Sequence, residues 1–321
     1  MAPPATGRLA AYQHGIFPRS ERVVQATRDV ERGRTTEDRV DEAFTEDRRD
    51  YLELQRRAGL DLLSDGLLRW QDLFRPLVDA SEGMEARVLV RWFDNNSFFR
   101  APDVVGDPRL VDLPGWVTED GGPEPRVATL PSPYLFSRAA RVDADPDRLI
   151  EVLARDVLAP AVRLLVDAGH GLVHLEEPWL AFSGIGESSW APFQAALGAI
   201  RDAAGGTPVV LHVYYGDAAP HAGRLVRLPV DAVGIDFAET RPEDLPAPWP
   251  TGLAAGCFDG RRSVIEPVDE VVDLVRRVDE WLDPPSLYLT SGSDLELLGP
   301  EVAARKVEVL GEAARRLREA A

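Results

Sequence analysis

Two adjacent carboxylates, Glu176 and Glu177, stand at the end of a short apolar run that stops at Pro178. The run contains Leu172 and Val173 and has the pattern of a buried β-strand, which the proline terminates. Because side chains alternate along a strand, the two glutamates must point to opposite sides of the sheet. A carboxylate in such a place is costly unless it is paired or used in chemistry. We therefore expect one glutamate to face a barrel interior and the other to lie in the wall or among the helices.

Reactive residue types also follow the other apolar runs, which argues against a strand end that is acidic without a function. Carboxylates and histidines suit general acid–base chemistry, tyrosines suit proton donation, and His, Asp and Cys can bind metals. In a parallel (β/α)8 barrel the strand ends meet at one face, which carries the active site. That rule joins the following residues to the two glutamates as one candidate set: His14, Asp65, Tyr134, His212, Tyr214, Asp236, Cys257 and Ser293.

The elements that would position this set alternate between short apolar runs and longer amphipathic stretches. The predicted strands are 8–12, 59–63, 126–130, 171–177, 208–215, 231–236, 252–257 and 286–290. The predicted helical stretches are 21–60 with a break at Gly33, 67–78, 145–168, 192–204, 268–281 and 302–317. This order predicts an α/β fold of the (β/α)8 TIM-barrel type. A doubly wound open sheet is the alternative, but no G-x-G-x-x-G motif follows the first strand.

One region departs from the alternation. Residues 86–100 alternate in hydrophobicity around the turn signal Asp94-Asn95-Asn96, which predicts an inserted hairpin after the second strand unit. Residues 103–124 are rich in proline and glycine and predict a long loop, of the kind that often serves as a lid. We expect this excursion to span 84–125 and to lie over the mouth of a single barrel domain formed by 1–321.

Composition narrows the classes of partner. The formal net charge of −18 and a pI near 4.7 argue against nucleic acid or an anionic membrane. The single cysteine, Cys257, excludes an intramolecular disulfide. The amino-terminal residues lack the features of a signal peptide, and no apolar run approaches the roughly 18 residues of a membrane span. We expect a cytoplasmic protein that acts on a small molecule, with no prediction of its oligomeric state.

Several short segments resemble, in order, the motifs of one enzyme family. They are GIFPRS (15–20), GLDLLSDGLLR (59–69), LPSPY (130–134), LEEP (175–178), HVYYGD (212–217), GCFD (256–259) and LTSGSDL (289–295). Together they resemble the catalytic barrel of cobalamin-independent methionine synthase, which belongs to the same superfamily as uroporphyrinogen decarboxylase. RWFDNN (91–96) is similar to a segment of that family's amino-terminal, folate-associated half.

The resemblance implies a barrel methyltransferase, with a reduced folate as a possible methyl donor. It also implies a zinc ion, held in the family by His, Cys, Glu and Cys, that activates the thiol of homocysteine. The corresponding residues here are His212, Tyr214, Asp236 and Ser293. Loss of both thiolates removes the soft ligands that favour zinc, so we do not expect zinc. If a metal binds, the candidate ligands are His212, Asp236 and Cys257.

The pocket for the amino acid also departs from the family pattern. Ile16 and Leu67 stand where the family has Ser and Glu, so two polar anchors for a zwitterion are missing. We therefore expect an acceptor other than homocysteine. The predicted substrate-binding residues are His14, Arg19, Asp65, Arg69, Trp92, Asn95, Asn96, Tyr134, Glu177, Trp179, Tyr215, Cys257 and Ser293.

Three functions remain open from the sequence. The first is a methyl or other one-carbon transferase with the catalytic residues His212, Glu176, Asp236 and Tyr214. Either His212 or Glu176 would be the general base, and Tyr214 or Tyr134 the proton donor. The second is a metal-free lyase or decarboxylase on an apolar or aromatic acid, whose carboxylate Arg69, Arg91 or Arg100 would receive. The third is a non-catalytic protein that binds folate or another ligand.

Overall fold

A curled parallel sheet forms the centre of the protein in a computed structural model that describes residues 8–118, 124–143 and 145–320. The strands are β1 (Leu9–Ala11), β2 (Ser81–Arg91), β3 (Phe98–Leu110), β4 (Arg126–Pro131), β5 (His170–Glu177), β6 (Val209–Val213), β7 (Ala232–Asp236), β8 (Gly252–Gly256) and β9 (Leu287–Thr290). Seven of them pair in the order β1-β9-β8-β7-β6-β5-β4, all parallel. The remaining two, β2 and β3, form a separate antiparallel hairpin.

The two edges of the seven-stranded sheet are joined by Leu62 and Leu63. Leu62 forms a parallel bridge with Tyr12, which directly follows β1, and Leu63 forms one with Arg126 at the start of β4. The predicted second strand, 59–63, is therefore present only as these two bridging residues. They close the sheet into a barrel, and the (β/α)8 fold expected from the sequence is confirmed.

One end of the barrel interior is filled by a cluster of eight residues, which we call the apolar layer. Each of the seven strands of the sheet and the bridging segment at 62–63 places one residue in it. Its members are Tyr12, Leu62, Val127, Leu172, Val210, Ala232, Ala254 and Tyr288. Because side chains alternate, the residues two positions further along face the same interior. These form what we call the polar layer, and all of them are buried: His14, Ser64, Thr129, His174, His212, Gly234, Gly256 and Thr290.

Helices cover the outside of the barrel. They are α1 (Glu21–Glu31), α2 (Glu37–Ala58), α3 (Arg75–Asp79), α4 (Gly115–Thr118), α5 (Pro133–Ala139), α6 (Pro146–Leu153), α7 (Ala159–Asp167), α8 (Pro178–Ser183), α9 (Trp190–Ala204), α10 (Ala222–Leu225), α11 (Val268–Leu282) and α12 (Pro300–Glu319). A π-helical turn, Ala154–Leu158, connects α6 to α7. No helix among the described residues is long and apolar enough to span a bilayer.

Local signals set the helix ends. The side chain of Asp145 accepts a hydrogen bond from the amide of Asp147, and Pro146 occupies the first turn of α6, where its missing N–H is not needed. Gly59 ends α2 in the left-handed conformation, with φ of 76°. These are the same residue types from which helix ends can be predicted.

Two predicted helical stretches were wrong in extent. The stretch 21–60 is two helices, α1 and α2, separated by residues 32–36. The stretch 67–78 is helical only in α3, because Gly66 and Leu67 have positive φ angles of 69° and 46° that an α-helix does not allow. Apolar spacing alone did not reveal this turn.

The predicted hairpin is confirmed, but it is longer than residues 86–100. Strand β3 continues to Leu110, so the long loop predicted at 103–124 is wrong in its first part. Gly106 and Pro108 suggested a loop, whereas a two-stranded hairpin tolerates proline because each strand has a free edge. The helical turn α4 follows, and residues 119–123 lie outside the described part of the chain.

The hairpin tip lies over the carboxyl ends of the barrel strands. The Ser97 hydroxyl donates a hydrogen bond of 3.1 Å to Oε2 of Glu296, which follows β9. The ring of Phe93 contacts Trp179 of α8 and Tyr215, which follows β6, with centroid distances of 5.7 and 5.6 Å. The polar layer is therefore enclosed between the apolar layer on one side and the hairpin tip on the other.

Candidate active site

Three buried imidazole rings meet in the polar layer. The rings of His14 and His174 stack with centroids 4.0 Å apart and planes 16° from parallel. The ring of His212 lies 4.8 Å from that of His14 and 5.2 Å from that of His174. Among the described residues, these three form the one group of His, Cys, Asp or Glu side chains close enough to share an ion, with one possible ligand atom from each, all within 4.8 Å.

Glu176 binds directly to this group. Its Oε1 lies 2.7 Å from Nδ1 of His14 and 3.8 Å from Nε2 of His174, and its side chain is 1% exposed. Nε2 of His14 lies 3.2 Å from the carbonyl oxygen of Ser291. A buried carboxylate is stabilised when it is paired in this way, so Glu176 meets the condition expected of it from the sequence.

Two glycines make room for the group. A Cβ atom on Gly15 would lie 2.3 Å from Cβ of Asp294 and 3.1 Å from Oε1 of Glu176. A Cβ atom on Gly234, which pairs with His212 across β6 and β7, would lie 2.6 Å from Cγ of that histidine. Larger residues at either position would displace the side chains of the polar group.

Burial keeps two of the histidines neutral. It holds the pKa of His174 well below its usual range, with a further decrease from the neighbouring His14 and His212. It lowers the pKa of His212 in the same way, again with a contribution from His14. Both imidazoles therefore present a nitrogen lone pair at neutral pH.

Several polar atoms at this depth have no hydrogen-bond partner. They are Nε2 of His174, Oε2 of Glu176, both ring nitrogens of His212, the Tyr214 hydroxyl and Oγ1 of Thr290. Most buried polar groups in proteins are hydrogen-bonded, so each such atom calls for an explanation, such as an ion, a water molecule or a ligand. Their concentration around the three histidines marks this place as the candidate active site.

Three of the predicted catalytic residues lie one step beyond the polar layer. Each of them stands two residues after a member of the polar layer and so shares its interior face. Glu176 and Asp236 are on β5 and β7, and Tyr214 directly follows β6.

Burial controls the protonation of two of these groups. It raises the pKa of Tyr214 well above its usual range, with smaller contributions from the charges of Glu176 and Asp294. It raises the pKa of Asp236 to about 7, partly opposed by a hydrogen bond from the Ala238 amide. The tyrosine is therefore a protonated hydroxyl, and Asp236 can gain or lose a proton near neutrality.

A continuous series of aromatic contacts connects this site to the surface. Phe182, which is 43% exposed, contacts Phe93 of the hairpin tip at 5.0 Å. Phe93 contacts Tyr215, Tyr215 contacts Tyr214 at 4.6 Å, and Tyr214 contacts His212 at 5.7 Å. Trp179 lies beside this series against Phe93.

Glu177 points away from the barrel interior, as strand alternation predicts. Its Oε2 accepts hydrogen bonds from the Ser132 hydroxyl and from the Leu135 amide at 3.0 Å, and its Oε1 accepts one from the Leu180 amide at 2.9 Å. It thereby caps the first turns of α5 and α8. Burial raises its pKa to about 7 against these bonds. The structure places Glu177 in the framework and not beside the histidines.

Tyr134, another predicted substrate-binding residue, also supports the framework. Its hydroxyl donates to the carbonyl oxygen of Gly184 at 3.1 Å, and its ring packs against Phe193 of α9. The guanidinium of Arg138 lies 4.8 Å above the same ring. Tyr134 joins α5 to the segment that follows α8.

Asp65 and Arg69 line a crevice beside α2 that also includes Phe44, and Arg19 contacts the same phenylalanine. Both arginines sit over the ring of Phe44, at 5.7 and 5.0 Å. Arg19 donates to the carbonyl oxygens of Leu68 and Trp70, and Arg69 donates to Asp41. The carboxylate of Asp65 accepts the Leu67 amide, and burial raises its pKa. These three residues form a group separate from the histidines.

The predicted hairpin residues serve the hairpin itself. Trp92 is buried against Phe74 and Phe99. Asn95 accepts the Ser97 amide at 3.0 Å, which closes the turn at the tip. Asn96 is exposed.

The expected alternative metal ligands, His212, Asp236 and Cys257, are not brought together. Of the described residues, only His14 and His174 join His212 in a potential ligand group. Cys257 donates to the Thr290 carbonyl at 3.2 Å, and burial raises its pKa to about 12, so it is a protonated thiol. The set was wrong because consecutive residues at the end of β8 face opposite sides: Gly256, the last residue of β8, occupies the interior position and Cys257 follows it. Ser293 donates to the carbonyl oxygen of Asp294 at 3.3 Å.

The sequence analysis missed His174 and Asp294. His174 could have been found, because it stands two residues before Glu176 on the same strand and must share its face. Asp294 lies in the segment after β9, and burial raises its pKa well above the usual range, with further contributions from Glu296 and Glu176. No periodicity marks that position.

A closed parallel barrel with a buried polar group at the carboxyl ends of its strands defines the class of (β/α)8 barrels that carry a site at that face. The family model described as "Cobalamin-independent synthase, N-terminal domain" matches residues 128–283. Over these residues the chain resembles the cobalamin-independent methionine synthase family. The resemblance found in the sequence is confirmed. The matching model is that of the N-terminal domain, whereas most of the motifs were compared with the catalytic barrel.

Several relatives are similar to this chain in sequence, and solved structures share its fold. The methionine synthase of Sulfolobus acidocaldarius is 23% identical over 91% of this chain and 87% of its own. The methionine synthase of Saccharolobus solfataricus is 22% identical over 95% of this chain and 93% of its own. The B12-independent methionine synthase of Shewanella sp. W3-18-1, solved with selenomethionine, has a TM-score of 0.74 at 17% identity over 98% of this chain and 99% of its own. A putative B12-independent methionine synthase from Listeria monocytogenes has a TM-score of 0.76 at 16% identity over 97% and 99%.

Proposed function

We propose that this protein transfers a methyl group from a reduced folate to a small-molecule acceptor other than homocysteine. The observation that carries the proposal is the buried group of His14, Glu176 and His212 at the carboxyl ends of the barrel strands, with polar atoms that lack partners. A relative from Herpetosiphon aurantiacus, 24% identical over 72% of this chain and 31% of its own, is a 5-methyltetrahydropteroyltriglutamate–homocysteine methyltransferase. That name supports the reaction class and the donor.

The residues of the site can supply the proton transfers that the reaction needs. The acceptor, written X–H, must lose its proton before X attacks the methyl carbon, and the methyl–nitrogen bond of the folate then breaks. Oε2 of Glu176 and the nitrogens of His212 are the unpartnered atoms that can take the first proton. The Tyr214 hydroxyl or the Asp236 carboxyl can return a proton to the folate nitrogen. The sum is X–CH3 and the demethylated folate.

A different acceptor is inferred from the residues that replace the family's polar anchors. Ile16 and Leu67, 7% and 4% exposed, lie in the apolar core cluster and offer no hydrogen bond to an amino acid. The zinc site that the resemblance implies does not fit these residues either. Tyr214 keeps its proton, Asp236 accepts the Ala238 amide, and Ser293 provides a hydroxyl in place of a thiolate. We therefore infer that thiol activation by zinc at those four positions has been lost.

The aromatic series from Phe182 to Tyr214 supports a planar donor. A pterin ring that entered along it would meet the edges of Phe93 and Tyr215 before reaching His212, and aromatic rings pair favourably at such distances. We infer that the hairpin tip moves when the donor binds, since Tyr214 and His212 are fully buried.

The lyase alternative receives no support from the relatives, which are methyltransferases. The arginines expected to receive a substrate carboxylate also have other contacts. Arg69 binds Asp41, Arg91 lies over Phe98, and Arg100 donates to the carbonyl oxygen of Arg87.

The proposal is tested by following a labelled methyl group. The wild-type protein is incubated with 5-methyltetrahydropteroyltriglutamate labelled on the methyl carbon and with a panel of thiols, amines and homocysteine. We expect transfer to one acceptor class that exceeds transfer to homocysteine. His212→Gln should reduce the rate at least about 100-fold, and His221→Gln, a change in a half-buried histidine outside this group, should not.

Two results would contradict the proposal. Transfer to homocysteine at the highest rate would remove the inference about the acceptor. Binding of the folate with no transfer to any acceptor would favour the non-catalytic ligand-binding alternative.

A further inference from the structure

We propose that His14, His174 and His212 hold a single divalent transition-metal ion in the polar layer. This set shares only His212 with the zinc ligands that the family resemblance implies, and it contains no thiolate. The site itself stands on the geometry of the three histidines, while its role in activating the acceptor rests on the proposed function.

The first argument is convergence. Each histidine offers one ring nitrogen to a common space, with the three atoms within 4.8 Å of one another and the side chains fully buried. Three imidazoles are a known ligand set for a catalytic zinc ion, and they also suit cobalt, nickel and iron. Nitrogen ligands of a tetrahedral zinc ion are about 3.3 Å apart, so the ion would draw the rings closer together and tilt the stacked pair.

The second argument is the support around the histidines. In metal sites the ring nitrogen that does not bind the ion is usually held by a carboxylate, a carbonyl or another polar group. Nδ1 of His14 is bound by Glu176 at 2.7 Å, and Nδ1 of His174 is bound by the buried Tyr12 hydroxyl at 2.9 Å. These bonds orient both rings. They leave Nε2 of His174 without a partner, whereas Nε2 of His14 would exchange its contact with the Ser291 carbonyl oxygen, 3.2 Å away, for the ion.

The third argument is the set of unpartnered atoms. Nε2 of His174 and both nitrogens of His212 are fully buried and make no hydrogen bond. An ion would satisfy Nε2 of His174 and one nitrogen of His212 at once. The nearby unpartnered Tyr214 hydroxyl and Oε2 of Glu176 could then bind a ligand of the ion.

An ion at this place has a chemical use in the proposed reaction. Three protein ligands leave a fourth position open for the acceptor, whose proton an adjacent cation makes easier to remove. With His212 committed as a ligand, Oε2 of Glu176 is the group that takes this proton.

The site is tested with Zn²⁺ and Co²⁺ on the full-length protein after dialysis against a chelator. We expect one equivalent of Zn²⁺ to bind in calorimetry. Co²⁺ should give the visible absorption of a four- or five-coordinate nitrogen site, without the near-ultraviolet band of a thiolate–cobalt bond. This measurement on the wild type does not depend on the folding of any variant.

Variants then assign the ligands. His174→Gln should weaken Zn²⁺ binding at least about 100-fold, and Tyr12→Phe, which removes only the hydroxyl behind His174, should weaken it about 10- to 100-fold. The matched control is His221→Gln, which changes a histidine outside the group and should leave binding unchanged. Circular dichroism checks that each variant is folded.

Absence of Zn²⁺ and Co²⁺ binding to the wild type would overturn the proposal, as would unchanged binding in His174→Gln. The proposed methyl transfer can fail separately: Zn²⁺ binding without transfer to any acceptor would retain the site and reject the reaction. Undiminished transfer in the presence of the chelator would reject the role of the metal in the reaction and retain the reaction.

Discussion

The apolar layer and the polar layer of the barrel interior lie on the same strands, two residues apart, but differ in composition and packing. The apolar layer fills its cross-section with large side chains such as Leu172, Tyr12 and Tyr288. The polar layer replaces them with histidines, hydroxyl residues and two glycines. A close-packed layer stabilises the barrel, whereas a layer with unpartnered polar atoms does not. The difference favours a chemical role for the polar layer.

Glycine makes the polar layer possible. Gly234 leaves the space that the His212 ring fills, and Gly15 leaves space beside Glu176 and Asp294. In the apolar layer the corresponding residue of β7 is Ala232, where a small apolar side chain still contributes to packing.

The largest expected effect on stability lies in the apolar layer. Leu172→Ala should lower the free energy of unfolding by about 2–5 kcal/mol, because it leaves a cavity among side chains that cannot all move to fill it. Urea denaturation followed by circular dichroism measures the change. A loss below 1 kcal/mol would show that this layer is not the packed core described above.

A smaller loss of stability is expected for Glu177→Gln, at the carboxylate next to Glu176. Both oxygens of Glu177 accept hydrogen bonds, so an amide NH2 at either position would oppose a donor from Ser132, Leu135 or Leu180. We expect a decrease of about 1–3 kcal/mol in the free energy of unfolding. An unchanged urea midpoint would contradict the capping role.

The smallest effect is a change in pH dependence at Asp236. Its pKa is about 7 in the folded protein and near 3.8 when unperturbed, so between these values the folded state binds more protons than the unfolded state. The free energy of unfolding must therefore fall as the pH rises through this window. Asp236→Asn should not show this fall. Its free energy of unfolding relative to that of the wild type should therefore rise by at least about 1 kcal/mol between pH 5 and pH 8.

The matched control for that prediction is Asp217→Asn. Asp217 accepts the amide two residues ahead at 3.0 Å, as Asp236 does, but it is exposed. The pH profile of Asp217→Asn should run parallel to that of the wild type. A parallel profile for Asp236→Asn as well would show that burial does not raise the pKa of this carboxyl.

The sequence predicts the barrel because apolar runs and helical periodicity are local properties. Alternation also predicts the opposite directions of Glu176 and Glu177. The same rule leads from Glu176 back to His174, but a search limited to strand ends passes over a residue inside a strand. The wrong metal set had the same origin, since Cys257 follows a strand but stands next to the interior position of Gly256.

Contacts between distant segments could not be predicted in this way. The bond between Ser97 and Glu296 depends on how the hairpin folds back over the barrel, which no local pattern records. Arg69 and Asp65 were expected at the site from motif positions, but their side chains lie in the crevice beside α2. Their place depends on the left-handed turn at Gly66 and Leu67, which apolar spacing does not reveal.

The most direct test of the contrast between the layers is the rate of methyl transfer per folded molecule in Glu176→Gln and in Leu172→Ala. With the acceptor found for the wild type, we predict a rate about 10²- to 10⁴-fold lower for Glu176→Gln, because this change removes the unpartnered carboxylate oxygen that we propose as the proton acceptor. We predict a rate within about 3-fold of the wild type for Leu172→Ala at a temperature where it is folded. Equal losses in both variants would contradict the assignment of chemistry to the polar layer and to Glu176, which binds His14 of that layer, and so would transfer that survives in Glu176→Gln.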